Sequence, residues 1–155
     1  MFKTIVWATD GSELADSALG FVRELAQQDG ARIVAVHVNE LMRGRSSGYP
    51  ALADEPELEE KIARQIKGLR DVGIDATYEI RGDFKSVATL ISEAAEHVDA
   101  DLIVVATHGS GGLKTALMGS VARALCHTAK TPVLVIPPVR KHEQEAAKDE
   151  ELAAV

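Results

Sequence analysis

One cysteine, Cys126, leaves this 155-residue chain without an intramolecular disulfide or a thiolate cluster for a metal. Aromatic residues are only 4% of the chain, too few to build platforms on which bases stack. Positive charge is also in deficit: 17 Lys and Arg face 24 Asp and Glu, a formal charge of −7. That balance opposes binding to nucleic acid by counterion release, which needs a basic face. No apolar run approaches the ~20 residues that a membrane helix needs. The short run Ile5-Val6-Trp7-Ala8 is soon followed by Asp10 and Gly11, unlike the apolar stretch of a secretion signal. Neither nucleic acid nor a membrane is therefore an expected partner, and a soluble cytoplasmic protein is the default expectation. What remains is a hydrophobic fraction of 46%, which excludes wholesale disorder. At this length one domain is expected, burying roughly 70% of its unfolded surface without staples.

The apolar pattern alternates between two periods. Ile5–Ala8, Ile33–Val38, Leu102–Ala106 and Val133–Ile136 are short, nearly continuous apolar runs, as in strands covered on both faces. Residues 74–80 alternate more and predict a strand with one wetter face. Between these runs, Leu14, Ala18, Phe21, Val22 and Leu25 recur at helical spacing, with Gly30 as the stop. Asp54 and Pro56 mark a second helix running to about Val72, whose acidic start (Asp54, Glu55, Glu57, Glu59, Glu60) complements the helix dipole. Asp83 is the expected cap of a third helix whose inward face is Phe84, Val87, Ala88, Ile91, Ala95 and Val98. Gly119-Ser120 opens a fourth, bearing Val121, Ala124 and Leu125. Residues 39–54, with Arg43, Gly44, Arg45, Ser46, Ser47, Gly48 and Pro50, read as a long loop, and such loops are often functional. The chain from 140 to 155 is a polar tail, frayed or disordered, behind a domain spanning 1–139.

The order βαβαβαβαβ predicts an α/β fold: an open five-stranded parallel sheet, doubly wound and Rossmann-like, with strand order 3-2-1-4-5. Ligands of such sheets bind at the carboxyl ends of strands where the order reverses. Two segments fall there. Ala8-Thr9-Asp10-Gly11-Ser12 follows the first strand, and Ala106-Thr107-His108-Gly109-Ser110-Gly111-Gly112 follows the fourth. The glycines let a backbone approach a ligand and aim N–H groups at it, and a helix starting at Gly119-Ser120 adds a positive dipole end. On pattern alone this is either a phosphate site or a flexible turn followed by a helix with Ser120 as its cap.

These residues resemble the universal stress protein family, over about residues 2–138. The likeness rests on Ile5-Val6-Trp7-Ala8-Thr9-Asp10-Gly11-Ser12, Ala18-Leu19, Val36-His37-Val38, Gly82-Asp83, Ala100-Asp101-Leu102-Ile103-Val104, Thr107-His108-Gly109, Gly119-Ser120-Val121-Ala122 and Pro132-Val133-Leu134-Val135, in that order. The ATP-binding branch of the family carries glycine, two residues, glycine, nine residues, then glycine with serine or threonine. Gly109 and Gly119-Ser120 fit at that spacing, while Ala106 stands in place of the first glycine. The resemblance implies an ATP-binding, or other adenine-nucleotide-binding, stress-response protein. Asp10 would accept from ribose hydroxyls or help hold a divalent ion, its plain alternative being a cap or turn residue. Val38 would meet adenine through its backbone. Gly109, Gly119, Ser120 and the N–H of Val121 would hold phosphates, with Ala8, Thr9, Ala106 and Gly112 lining the same site. Residues 39–54 would close over the nucleotide. No obligatory lysine serves the triphosphate, since Lys114 and Arg123 suit solvent equally well; Mg²⁺, bound mostly by phosphate oxygens and water, is the expected counterion. Occupancy would bias loop order and the choice of an unknown protein partner. The resemblance also implies a homodimer through Val133–Ile136, an apolar edge that invites pairing.

Enzyme signatures fail in detail. Leu113 precedes Lys114, so the Walker lysine lacks its glycine. A Gly-x-Gly-x-x-Gly run from Gly109 fails at Lys114, and His108-Gly109-Ser110-Gly111 lacks a second histidine. Asp10 stands alone, without the clustered acids of a phosphoryl acceptor. At most, weak ATP hydrolysis is expected. His108 has no nucleophile to activate, His37 reads as a satisfied core histidine, and His97, His127 and His142 show no metal spacing.

Overall fold

The computed structural model describes residues 1–40, 55–107 and 118–138. Nine elements follow one another: β1 (Thr4–Ala8), α1 (Glu13–Asp29), β2 (Arg32–Glu40), α2 (Glu55–Asp71), β3 (Ala76–Asp83), α3 (Val87–His97), β4 (Leu102–Ala106), α4 (Ser120–Thr128) and β5 (Val133–Ile136). All strand pairs are parallel, in the order β3-β2-β1-β4-β5. The chain moves outward from β1 to β3, returns across the sheet to β4, then moves outward the other way. Right-handed crossovers in opposite directions place helices on opposite faces. Thus α1 and α2 share one face and α3 and α4 the other.

The two-residue period of each strand divides the core accordingly. Ile5, Trp7, Ile33, Ala35 and Val104 pack with Ala18, Val22 and Ala26 of α1 and Ile62, Ile66 and Leu69 of α2. Val6, Ala8, Val34, Val36 and Ile103 pack with Ile91, Ala94 and Ala95 of α3 and Ala122 and Leu125 of α4. Trp7 is the largest fully buried side chain, and its indole N–H donates to the Ala15 carbonyl at 3.3 Å. Alanines on α1 leave room for it. Gly30 ends α1 in the left-handed region, as the sequence predicts, with φ 67°.

Several expectations are corrected. Asn39 and Glu40, expected to open the long loop, continue β2 in register with Gly82 and Asp83. Asp83 does not cap α3: it is the last residue of β3 and pairs with Glu40, while Ser86 caps α3 by accepting from the Thr89 N–H. Main-chain pairing to β2 carries β3 through the polar residues 81–83, where no apolar pattern advertises a strand. Phe84 consequently lies outside the helix and is exposed, and Phe21 on α1 is exposed as well, with Ala15, Ala18, Val22 and Ala26 forming the buried stripe. The strand expected from residue 74 starts at Ala76. Residues 41–54, expected as part of a loop, the glycine-rich 108–117 (with His108, Gly109, Gly112 and Lys114) and residues 139–155, expected to be mostly a polar tail, lie outside the described residues. No helix among the described residues is long and apolar enough to cross a membrane.

Candidate functional site

The strand order reverses between β1 and β4, and β1 is the first of the central strands to stop. Its pairing ends at Ala8–Val36 on one side and Trp7–Val104 on the other, whereas β2 continues to Glu40. Along a strand, successive residues turn their N–H and C=O to opposite neighbours. Arg32 N–H donates to Lys3, and the Val36 carbonyl accepts from Thr9, so even-numbered residues of β2 face β1. Val38 therefore turns its main-chain groups toward the side on which β1 has ended. On β4, Ile103 and Thr107 donate toward β5, so Ala106 faces the β1 side. Val38 and Ala106 thus border a gap of about 9–10 Å, two strand spacings. Both are buried, and Ala106 pairs with Ile136 within a regular strand. Its φ is not positive, so a side chain at this motif position carries no backbone strain.

The β1–α1 junction is tied into itself. Thr9, 5% exposed, accepts the Gly11 N–H on Oγ1 at 3.1 Å, and its carbonyl accepts from His37 Nδ1 at 2.9 Å. A carbonyl partner assigns the proton to Nδ1, so His37 is a satisfied histidine, as its place in a buried strand predicts. Asp10 Oδ1 accepts from the Ser12 N–H at 3.0 Å and from Ser12 Oγ at 2.6 Å. Ser12 Oγ accepts in turn from the Ala15 N–H at 3.2 Å, capping α1. Gly11 stands at φ 75°, and a Cβ there would collide with Leu58 of α2. Lys61, also on α2, donates from Nζ to the Gly11 carbonyl at 2.5 Å and pairs with the Asp16 carboxylate at 2.6 Å. Gln65 Nε2 donates to the same carboxylate at 2.8 Å.

The β4–α4 junction is built differently. Thr107 N–H donates to the Ile136 carbonyl at 2.9 Å, and the Thr107 carbonyl accepts from the Gly119 N–H at 2.6 Å. That last bond brings the two halves of the glycine motif, Ala106 and Gly119-Ser120, to one place. Gly119 is the N-cap of α4, and no side-chain hydrogen bond caps the helix. The first helical bond runs from the Arg123 N–H to the Gly119 carbonyl, so the amides of Ser120, Val121 and Ala122 precede the ladder. Ala122 is buried, Val121 half-buried and Ser120 exposed. Ser120 is therefore the first helical residue rather than the cap. An anion at this end meets N–H groups, a hydroxyl and the positive end of the helix dipole together.

Of the residues singled out from the sequence, Ala8, Thr9, Asp10, Val38, Ala106, Gly119, Ser120 and Val121 lie at the carboxyl ends of β1, β2 and β4 or at the start of α4. Arg123 is exposed on α4. Among the described residues no group of three His, Cys, Asp or Glu is arranged to hold a metal. Lys61 was not among the sequence candidates. It lies 50 residues from Gly11, and its position beside Leu58 and Ile62 on an amphipathic helix is the only local sign that it borders the core. The carboxyls that the fold shifts lie at the opposite end of the sheet. Main-chain bonds from Thr4 and Lys3 hold Asp101 below its ordinary value, and a bond from Phe2 does the same for Asp29.

A model of the universal stress protein family matches residues 1–137. A universal stress protein of Thermus aquaticus is 34% identical over 143 residues, covering 88% of this chain and 99% of its own length. Among solved structures, one from the same family in Burkholderia pseudomallei is 29% identical with a TM-score of 0.65, covering 87% of this chain and 96% of its own. A universal stress protein from Archaeoglobus fulgidus in complex with dAMP is 26% identical with a TM-score of 0.65, covering 88% of this chain and 98% of its own.

Proposed function

This chain belongs to the universal stress protein family, and on that premise we propose that it is a stress-response regulator that binds an adenine nucleotide, ATP foremost, where β1 parts from β4. The observation that carries the reading is the start of α4: a helix N-terminus with no side-chain cap, held by the Thr107–Gly119 bond against the end of the central strands. The Archaeoglobus fulgidus relative in complex with dAMP supports the ligand class. The main-chain N–H and C=O of Val38 meet the adenine edge. Asp10, already oriented by Ser12, accepts from ribose hydroxyls. The amides of Ser120 and Val121 and the Ser120 hydroxyl hold phosphate. Gly119, whose own N–H is bonded to Thr107, supplies room for the ligand rather than a donor. Gly109 and Gly112 complete the phosphate loop, Ala8 and Thr9 form its floor, and the chain after Glu40, to residue 54, closes over the base. Mg²⁺, when bound with ATP, neutralises phosphate charge through phosphate oxygens and water. Ala106 serves through its main chain: a strand side chain stands off the sheet face, so its methyl lies to one side of the gap between strands.

The nucleotide-binding domain in this reading is residues 1–139, with 140–155 a polar tail, in a cytoplasmic homodimer. The β5 edge, where Leu134 is 36% exposed, gives the dimer its pairing surface. The substitution at Ala106 favours a second reading, a dimeric interaction protein that needs no nucleotide. Calorimetric titration with ATP and Mg²⁺, and with AMP, separates the two. Saturable heat from the wild type supports the first reading; none at millimolar ATP leaves the second. Gly119→Val suits the observed φ of −57° and ψ of 155° and so leaves the fold intact, but it abolishes the heat by filling the approach to α4. An unchanged affinity in that variant rejects the phosphate placement.

A further inference from the structure

We propose that Lys61 is the positioning residue of the nucleotide site, a strap from α2 that holds the Asp10 turn in its binding geometry; this rests on the adenine-nucleotide reading above. The turn between β1 and α1 is short, and within it Asp10 accepts from the Ser12 N–H and hydroxyl. Thr9 is tied to β2 through the Val36 carbonyl and His37 Nδ1, and α2 holds the turn beyond Asp10. The Lys61 ammonium donates to the Gly11 carbonyl, one peptide beyond Asp10, and pairs with Asp16 in the first turn of α1. Leu58, one helical turn earlier, packs against Gly11, where a Cβ would meet its methyl and the positive φ of 75° favours glycine. Lys61 is 32% exposed and Asp16 29%, so the pair is part-shielded from solvent and its geometry matters more than that of a surface ion pair. Lys67–Asp71 further along α2 is the contrast, with side chains 74% and 59% exposed and no contact with the turn.

The consequence is a coupling between the site and α2. A ligand that engages Asp10 binds best when the turn is strapped, so by reciprocity binding tightens the strap. The amino-terminal half of α2, which carries Leu58 and Lys61, then reports site occupancy.

The test measures AMP and ATP–Mg²⁺ affinity by calorimetry in wild type, Lys61→Met, Lys61→Arg and Lys67→Met, with thermal melts of each. Amide exchange at Gly11 and Ser12 is followed without and with AMP. We expect Lys61→Met to weaken affinity about tenfold, the loss of one charged hydrogen bond. Arginine at 61 restores most of it, Lys67→Met changes nothing, and exchange at Gly11 and Ser12 speeds up in Lys61→Met alone. A lowered melting temperature with wild-type affinity in Lys61→Met makes the lysine merely structural and overturns the proposal. So does equal weakening in Lys67→Met. If Lys61→Met fails to fold, Lys61→Gln, which loses the charge that pairs with Asp16, takes its place: wild-type affinity there overturns the strap, and weakened affinity supports it. Failure of the wild type to bind either nucleotide is a different result; it removes the nucleotide reading and this proposal with it.

Discussion

Two strand-to-helix junctions sit side by side at the carboxyl end of the sheet, and they solve the same problem in opposite ways. Every α-helix begins with N–H groups that lack helical partners. After β1, the chain answers with its own side chains: Ser12 caps α1, Asp10 braces Ser12, and Lys61 and Leu58 press on the turn from α2. After β4, the helix begins at a glycine with no side-chain cap. One junction is a finished piece of structure. The other leaves the amides of Ser120 and Val121 ahead of the helical ladder without a side-chain cap, where the proposed phosphate would sit. On the proposed function, the contrast separates the residues that build the turn, Gly11 and Ser12, whose loss is expected to cost stability, from Ser120, whose loss is expected to cost binding.

The comparison breaks if stability and binding do not divide along that line. Gly11→Ala tests the closed junction hardest. A left-handed φ costs a side chain about 1–2 kcal/mol, and overpacking against Leu58 adds about 1–3 kcal/mol. Chemical denaturation is expected to show a loss near 3 kcal/mol; a loss below about 0.5 kcal/mol means that the turn relaxes freely. Ser12→Ala is the next largest, removing a helix cap worth about 1 kcal/mol. Its counterpart Ser120→Ala sharpens the point: stability stays within about 0.5 kcal/mol, while ATP affinity falls several-fold. If Ser120→Ala melted lower than Ser12→Ala, the assignment of the two junctions would be reversed.

The smallest effect comes from acid, and it acts at the other end of the sheet. Asp101 and Asp29 have depressed carboxyl values in the folded state. Such groups stabilise the fold fully above the ordinary value of 3.8, and that contribution disappears as pH falls through their lower folded values. Unfolding curves between pH 5 and 2 should therefore steepen below that value, and Asp101→Asn should flatten the slope without altering nucleotide affinity at neutral pH. An Asp101→Asn curve that parallels the wild type would show that these main-chain bonds contribute nothing to acid stability.

The ease of reading the sequence varied with the physics of each segment. β1 and β4 were legible to within a residue because they are buried along their whole length and nearly all apolar, and β5 because its four residues are all apolar. The carboxyl half of β3 was not, since Arg81, Gly82 and Asp83 stay in the strand only through pairing with β2. Phe21 and Phe84 misled for the opposite reason: they are apolar yet exposed, while alanines do the packing. At the candidate site, Thr9–Ser12 and Gly119-Ser120 were visible as turn and glycine residues at strand ends. Lys61 was invisible, because nothing local distinguishes a lysine that reaches across to a backbone carbonyl from one in solvent.

The amino-acid sequence alone determined the alternation of strand and helix and the two-sided burial of the central strands, while the place where strand order reverses was an expectation that the sheet pairing settled. The first two follow from periodicity, which acts over a few residues at a time. Only the tertiary structure decided which helix start is capped by a side chain, that Thr107 and Gly119 meet across the intervening segment, and that α2 holds the Asp10 turn. Those outcomes depend on the mutual placement of groups far apart in the chain, and a hydrogen bond's narrow range of distance and angle makes that placement decisive.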